Sequence, residues 1–237
     1  MAKRGGTKHQ KRLASPKAVP IQDKKERKWM IQHSPGPHAK DYSIPLGVLL
    51  RDILKIAPTL REVQKILSTR LLQVDGKVRT DDKFSVGLMD VISLPKAEKN
   101  YRIIVDGKAR LLTVEIKGEE SATKTLRVVR KHTLPGGKLS LTLHDGRNIV
   151  SDNHIKVGDS VVVSLPKVVI KNHLKRDNGA TCLIMDGKHA GTIVKLKDII
   201  QRKGGKPSEA LVQSKEEEFI TVAKYLFVVD ESFRVNQ

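Results

Sequence analysis

The chain has 237 residues, and its 45 Lys and Arg against 26 Asp and Glu give a formal net charge of +19. This excess of cations indicates a polyanionic partner, most commonly nucleic acid. Only 3% of the residues are aromatic, which argues against a platform of stacked bases and favours contact with the phosphates and shape of folded RNA.

Several other classes of protein are excluded. No apolar run approaches the ~18 residues of a membrane span, and none follows the basic N-terminus, so we expect a soluble intracellular protein without an export signal. The single cysteine, Cys182, rules out an intramolecular disulfide and a multi-cysteine zinc site. We therefore expect no metal site and no cofactor.

Residues 1–41 form a basic N-terminal extension with 11 Lys and Arg, 3 acids and a net charge of +8. Because apolar residues are scarce, we do not expect its first ~20 residues to fold alone. The extension is either a solvated tail or, as we favour, a segment that becomes ordered against RNA. One short helix is predicted, capped by Asp23 and Glu26 and carrying Trp29 and Met30.

The next segment, 42–95, begins with a pattern typical of helices. Apolar side chains recur at helical spacing, with Pro45 in the first turn, and they are Leu46, Leu49, Leu50, Ile53 and Leu54. A second helix is predicted to begin at Thr59, since Thr59 and Glu62 have the spacing of a capping box.

After this helix, the spacing of the apolar residues changes from the helical period to the two-residue period of a strand. Residues 71–79 predict a β-hairpin around Asp75-Gly76, and a last strand is predicted at 91–94.

From 96 to 172 the pattern is purely β. Hairpins are predicted at 101–116 and 139–150, around Asp-Gly turns, and a further strand at 160–165. Short strands at this spacing favour a small barrel or sandwich.

The last segment, 173–237, has a predicted strand at 179–185 followed by Gly187 and Gly191 in a Gly-x3-Gly arrangement. These glycines permit a positive φ and close backbone approach, and we expect Lys188 and His189 at an exposed tip. A final strand is predicted at 225–229, between acidic residues that we interpret as solvated surface.

An Asp-Gly turn followed by a cation recurs four times in the chain. The Asp-Gly pair is explained by the type I′ turn that it favours. The cation that follows each turn suggests that the hairpin tips bind phosphates. The four turns begin at Asp75, Asp106, Asp145 and Asp186.

Two of these segments resemble known families. Val-Asp-Gly-Lys-Val at 74–78, with the helix from Thr59, resembles the hairpin and recognition helix of S4-type RNA-binding domains, and the Gly-x3-Gly segment resembles a KOW motif. The sequences Asp-Gly-Lys-Val-Arg-Thr-Asp at 75–81 and Gly-Leu-Met-Asp-Val-Ile at 87–92 resemble the archaeal and eukaryotic S4e family of small-subunit ribosomal proteins. The resemblance covers nearly the whole chain.

The resemblance implies a multidomain α+β fold. After the basic extension, a small S4-type helix–hairpin domain would occupy 42–95, a mainly β central domain 96–172 and an SH3-like (KOW) barrel 173–237. It also implies a structural constituent of the small ribosomal subunit, cytoplasmic, that binds ribosomal RNA and supports translation. The expected partners are small-subunit ribosomal RNA and neighbouring small-subunit ribosomal proteins, with no membrane and no small-molecule substrate.

The side chains predicted to contact RNA are cations of the extension, the second helix, the hairpin and the C-terminal tip. They are Lys3, Arg4, Lys8, Lys11, Arg12, Lys17, Arg61, Lys65, Arg70, Lys77, Arg79 and Lys188. For Arg51 and Lys55, RNA contact and a solvated helix face remain equally open.

No catalytic pattern is present. None of the five Gly-Lys pairs precedes Ser or Thr as a Walker A loop requires, no HExxH occurs, and Cys182 is expected in a β core. An RNA-modifying enzyme with an S4-type module would need a separate catalytic domain of about 150 residues. The remaining alternative is a regulatory or transcription-associated RNA-binding factor with S4 and KOW modules.

Overall fold

The computed structural model describes residues 9–151, 154–202, 204–214, 217–230 and 233. In these ranges the chain is mainly β with few helices, and none of their helices is long and apolar enough to cross a membrane. The chain divides into two compact units, one formed by Met1–Ile103 with Arg110–Ile116 and the other by Ile104–Ala109 with Lys117–Gln237.

In the first unit, the basic extension begins with a two-stranded ribbon. Strand β1 (Gln10–Lys11) pairs antiparallel with β2 (Trp29–Met30), so the predicted helix around Trp29 is wrong. The carboxylate of Asp23 accepts hydrogen bonds from the backbone N–H groups of Lys25 and Glu26, at 2.9 and 3.2 Å. These bonds close a single turn, after which the chain becomes extended.

Much of this extension packs within the first unit. Ala18, Val19 and Ile21 are buried, and the backbone N–H of Leu111 donates to the Ala18 carbonyl at 2.8 Å. From residue 9 onward the extension is therefore part of a folded unit, which corrects the expectation of a tail that is ordered only by RNA. Residues 1–8 lie outside the described ranges.

The first helical segment is short and irregular. Strand β3 (Ser43–Pro45) leads directly into α1 (Leu46–Val48), which continues as a π-helical turn over Leu49–Ile53. The backbone N–H of Leu54 donates to the Leu49 carbonyl at 2.8 Å, five residues back. Of the predicted apolar face, the three N-terminal leucines are fully buried, whereas the last two side chains are half-buried.

The second helix and a five-stranded antiparallel sheet complete this unit. The helix is α2 (Leu60–Ser68), and β6 (Ser85–Gly87) pairs separately with β3. The sheet has the order β5-β4-β7-β8-β9, where β4 is Gln73–Val74, β5 is Lys77–Val78, β7 is Val91–Leu94, β8 is Lys99–Val105 and β9 is Leu111–Ile116.

The hairpin predicted at 101–116 within the central β region instead extends this sheet. A tight reversal at Pro95–Ala97, with Glu98 at φ +52°, brings β8 back beside β7, so that Val91 lies opposite Arg102. The buried side chain of Ile103 on β8 adds to the unit's core, and β7 is not left as a bare edge.

The second unit contains two further sheets. The first follows α3 (Gly118–Ser121) and has the order β12-β11-β10-β13-β14. Its strands are β10 (Thr123–Thr133), β11 (Leu139–Leu143), β12 (Asn148–Ser151), β13 (Ser160–Ser164) and β14 (Val169–Leu174). The core of this sheet includes Leu126, Leu141 and Val161. Its central strand, β10, was not predicted because cations interrupt its apolar alternation.

The other sheet of this unit has the order β18-β17-β16-β15-β19. Its strands are β15 (Thr181–Ile184), β16 (Ile193–Ile200), β17 (Glu209–Gln213), β18 (Glu218–Val222) and β19 (Leu226–Val228). Cys182 lies between Val194 and Val228 in the core, as predicted. Gly191 has a φ of +74°, and a Cβ atom there would lie 2.6 Å from the carbonyl carbon of Asp106, so the expected close approach is present.

Candidate nucleic-acid interface

The start of α2 is fixed by local hydrogen bonds. The Thr59 hydroxyl accepts from the backbone N–H of Glu62 at 3.3 Å, and the Glu62 carboxylate accepts from the backbone N–H of Thr59 at 3.4 Å. The predicted capping box is confirmed. It satisfies two backbone donors that have no partner within the helix and so sets the first helical residue.

With that start, α2 divides into a buried and an exposed side. Val63 and Leu67 are fully buried, whereas Arg61 and Lys65 are exposed. The two cations are four residues apart and therefore lie on the same face of the helix. The helix thus presents a pair of cations to solvent while its other face is held in the core.

The hairpin after α2 presents a further cation. Asp75 and Gly76 both have positive φ, +52° and +71°, as a type I′ turn requires. Asp75 is anchored to β7, because its backbone N–H donates to the Val91 carbonyl at 2.8 Å and its carboxylate accepts from the Val91 N–H at 3.1 Å. Lys77, immediately after this anchored turn, is exposed.

Arg79 is held by an aromatic ring. Its guanidinium carbon lies 4.2 Å from the centroid of the Phe84 ring, and its backbone N–H donates to the Leu72 carbonyl at 3.3 Å. The buried Nε of Arg79 has no hydrogen-bond partner among the described residues. Stacking of this kind restrains a guanidinium while its terminal N–H groups can still donate to an oxyanion.

Arg70 completes this series. It follows α2 with a φ of +58°, and its backbone N–H donates to the Leu67 carbonyl at 3.0 Å. We refer to five residues together as the α2–hairpin cations: Arg61, Lys65, Arg70, Lys77 and Arg79. None of them forms a salt bridge with an acid in the described part of the chain. Their charges are consequently available to a polyanion.

Two arginines of the same unit are paired instead. Arg12 is 4% exposed, its two terminal nitrogens lie 3.2 Å from a Glu26 oxygen and 3.6 Å from an Asp52 oxygen, and its Nε donates to the Asp23 carbonyl at 2.8 Å. This corrects the prediction for Arg12, whose charge is matched inside the unit. Arg51 donates two hydrogen bonds to Asp52, at 2.8 and 3.0 Å, and these raise its pKa.

The remaining predicted cations are placed as follows. Lys11 and Lys17 of the extension are exposed, and so is Lys188 at the C-terminal tip. Lys3, Arg4 and Lys8 lie outside the described residues. His189, expected beside Lys188 at the tip, is half-buried and stacks on Phe219 with ring centroids 4.0 Å apart.

The Asp-Gly-cation pattern has a different outcome in the second unit. Asp145 is 2% exposed, and its carboxylate lies 3.2 Å from Nε of Arg147 and 3.4 Å from Nζ of the buried Lys124. Arg147 therefore neutralises the aspartate of its own turn. The idea that every such turn holds a phosphate does not apply to this one.

Sequence reasoning also missed a half-buried arginine in the second unit. Arg127 on β10 donates to the backbone carbonyls of Lys224 and Leu226, and its burial, with Arg176 nearby, lowers its pKa to about 10. The contact joins β10 to the start of β19. No signal in the sequence marked it, because the cations at 124, 127 and 130 are three residues apart and do not follow the two-residue period of a strand.

The described residues contain no chemistry that suggests catalysis. Cys182 is fully buried, and burial raises its pKa to about 12, so the thiol stays protonated at neutral pH. No group of three His, Cys, Asp or Glu side chains in these ranges is arranged to hold a metal ion. Cations that no acid of the described residues pairs, placed on a capped helix and an anchored turn, are the arrangement that a surface for a polyanion requires.

Comparisons with known proteins identify the family. Residues 97–170 match the model of the ribosomal family S4e, and residues 4–41 match that of the RS4NT domain. The small ribosomal subunit protein eS4 of Methanosphaera stadtmanae is 42% identical over 229 residues, which cover 97% of this chain and 95% of that protein. The eS4 protein of Korarchaeum cryptofilum is also 42% identical, over 94% of this chain and 97% of its own.

A solved structure agrees with these matches. The crystal structure of the 30S ribosomal protein S4e from Thermoplasma acidophilum superimposes with a TM-score of 0.70 at 33% identity, over 81% of this chain and 97% of that one. The chain belongs to the ribosomal S4e family.

Proposed function

We propose that this protein is a structural constituent of the small ribosomal subunit that binds ribosomal RNA and supports translation. The observation that carries the proposal is the 42% identity to an eS4 protein along 97% of this chain. The excess of cations is what a protein packed among RNA phosphates requires.

The proposed interface is centred on the α2–hairpin cations. Arg61 and Lys65 on α2, with Lys77 and Arg79 on the hairpin, would contact phosphates of one folded RNA junction. Contacts with phosphates position a protein on RNA and carry little sequence information, so recognition would depend on RNA shape. The anchored turn and the stacked Arg79 support this role, since they restrain two of the cations before RNA binds.

Cations outside this region would add further phosphate contacts. We assign this role to Lys3, Arg4, Lys8, Lys11 and Lys17 of the extension and to Lys188 at the C-terminal tip. In the proposed layout, 42–95 is an S4-type domain, with β8 and β9 extending its sheet, and 173–237 is an SH3-like KOW barrel. The protein would act without catalysis or cofactor, in the cytoplasm, beside other small-subunit proteins.

Sedimentation of a native cell extract tests the assembly. The extract is run through sucrose gradients at low and at high salt, and the protein is quantified by mass spectrometry in each fraction. A structural constituent is expected in a one-to-one ratio with other small-subunit proteins at both salt concentrations. Loss from the small-subunit peak in high salt would instead indicate the regulatory or transcription-associated factor.

A further inference from the structure

Trp29 is the single tryptophan of the chain, and half of its surface is exposed to solvent. The pairing of β1 with β2 explains its direction. Lys11 lies opposite Trp29 and Gln10 lies opposite Met30, and the second pair is buried, at 5% and 6% exposure. The ribbon therefore uses one face for packing and directs Lys11 and Trp29 to the other.

The surroundings of the ring are cationic. The ammonium of Lys28 lies 5.3 Å from the centroid of the indole ring, and the ring of His9 lies 5.6 Å away, tilted by 51°. Lys24 and Lys25, in the turn before β2, are exposed as well. The indole is thus accessible from solvent in a positively charged environment.

This combination selects among the possible occupants of the site. An apolar protein surface would gain from contact with the indole but would have to desolvate the ammonium groups of Lys28 and Lys11. An unpaired nucleobase offers a π-face to the indole, and its flanking phosphates match the same ammonium groups. A base in a duplex does not fit, because its faces are already covered by its neighbours.

We infer that Trp29 is a stacking site for one unpaired base of RNA, with Lys28 and Lys11 binding the phosphates beside that base. The inference rests on the proposed RNA-binding function and adds a base contact to a protein otherwise positioned by phosphates. It is compatible with the low aromatic content, because one ring accommodates one base and no extended platform is needed.

The full-length chain tests this directly, since all tryptophan emission comes from Trp29. Two fluorescein-labelled probes are titrated, a single-stranded 12-mer oligoadenylate and a 12-base-pair RNA duplex, with binding followed by anisotropy of the label. Unlabelled RNA is used to follow indole emission and its quenching by acrylamide. The variants are Trp29→Ala and Trp29→Phe, and each is checked for an unchanged far-UV spectrum and melting curve.

We expect the single strand to quench Trp29 emission and to protect the indole from acrylamide. Trp29→Ala is expected to bind the single strand about tenfold more weakly, while Trp29→Phe, which keeps a stacking ring, stays within about threefold of the parent. Duplex binding should be the same for all three proteins, because phosphate contacts are retained.

Two results would overturn the inference, and they are distinguishable. If Trp29→Ala binds the single strand as well as the parent chain does, or if the parent chain binds small-subunit ribosomal RNA but not the single strand, the indole does not stack on a base. If the parent chain binds neither probe and does not bind small-subunit ribosomal RNA, the proposed RNA-binding function itself fails, and the stacking site with it.

Discussion

Two turns share the Asp-Gly-cation pattern but place the cation differently: in one it is exposed, and in the other it is paired with the aspartate. In Asp75-Gly76-Lys77, the aspartate bonds the backbone of β7 and the lysine is exposed. In Asp145-Gly146-Arg147, the aspartate is buried to the same degree as Asp75, but Nε of the arginine lies 3.2 Å from its carboxylate.

The difference comes from what lies next to each carboxylate. Asp145 packs against Lys124, which occupies the core face of β10 two residues before Leu126. Because the ammonium of Lys124 is buried, it needs the opposite charge of Asp145 to offset its desolvation. Asp75 accepts a backbone N–H from Val91. In these two turns, the aspartate that contacts a buried ammonium is also paired with the cation that follows it, whereas Lys77 forms no salt bridge with an acid of the described residues.

The largest effect is expected at the buried turn. Asp145→Asn removes the charge opposite Lys124, whose side chain is 0% exposed, and should lower the free energy of unfolding by about 3–5 kcal/mol in urea titrations. Lys77→Ala, in the matching turn of the first unit, should change stability by less than about 0.5 kcal/mol.

A double variant tests whether the stability lost in Asp145→Asn comes from the unpaired charge of Lys124. Lys124→Met with Asp145→Leu removes both charges and should recover most of the stability that Asp145→Asn loses. If Asp145→Asn proves as mild as Lys77→Ala, the two turns do not differ in the way described.

Asp159 provides a second paired carboxylate, with a dependence on pH. Burial raises its pKa, but hydrogen bonds from the backbone N–H groups of Lys156 and Arg176, at 2.9 and 3.1 Å, and from His173, at 2.8 Å, outweigh burial and hold the pKa below its ordinary value. A lowered folded-state pKa gives stability that is complete above about pH 5 and is lost as the pH falls through that pKa.

Asp159→Asn should therefore destabilise the chain by about 2 kcal/mol at neutral pH, the typical contribution of hydrogen bonds to a charged group. The deficit should shrink in urea titrations repeated at pH 5, 4 and 3. A deficit that stays constant over this range would mean that the charge of Asp159 contributes nothing. Asp177→Asn, at an exposed aspartate, serves as the control.

A smaller effect is expected at the start of α2. Thr59→Ala removes the hydroxyl that accepts from the Glu62 N–H and should cost about 1 kcal/mol of stability. Because the first turn carries Arg61, RNA affinity should fall slightly as well. Thr59→Ser keeps the hydroxyl and should behave like the parent chain, and equal losses in both variants would exclude capping as the cause.

The smallest effect is expected from Phe84→Leu. Without the ring, the Arg79 guanidinium is no longer stacked, and the loss of a cation–π contact of about 0.5–1 kcal/mol corresponds to a two- to fivefold weaker RNA complex. Phe84→Tyr keeps a ring and should retain affinity. An unchanged affinity of Phe84→Leu would show that Arg79 is not preorganised by stacking.

Features that depend on neighbouring residues in the chain were predictable. The capping box of Thr59, the turn at Asp75-Gly76 and the buried strand around Cys182 follow from local spacing, and the structure confirms each. The family resemblance is confirmed by relatives that match nearly the whole chain.

Features that depend on distant residues were not predictable. Arg12 is matched by Glu26 and Asp52, which are 14 and 40 positions away, so nothing near Arg12 signalled that its charge is buried. The central strand β10 was missed because its cations find partners far along the sequence. The pairing of β8 with β7 was not predicted either, because the two strands were placed in different segments of the sequence, 96–172 and 42–95.

The α2–hairpin cations are the proposed RNA-binding surface. We would replace Arg61, Lys65, Lys77 and Arg79 together by Ala and compare this variant with one lacking four exposed cations elsewhere. The control positions are Lys96, Lys99, Lys156 and Lys167. Affinity for small-subunit ribosomal RNA is measured by filter binding over a series of KCl concentrations.

Each phosphate contact contributes ~0.7–0.9 log units of affinity per log unit of salt. The variant that lacks four of the α2–hairpin cations should therefore have a salt slope shallower by about 3. The control, with the same net charge and an intact α2–hairpin region, should stay within about 1 of the parent. Equal slopes for both variants, in proteins with unchanged melting curves, would contradict the assignment of this surface.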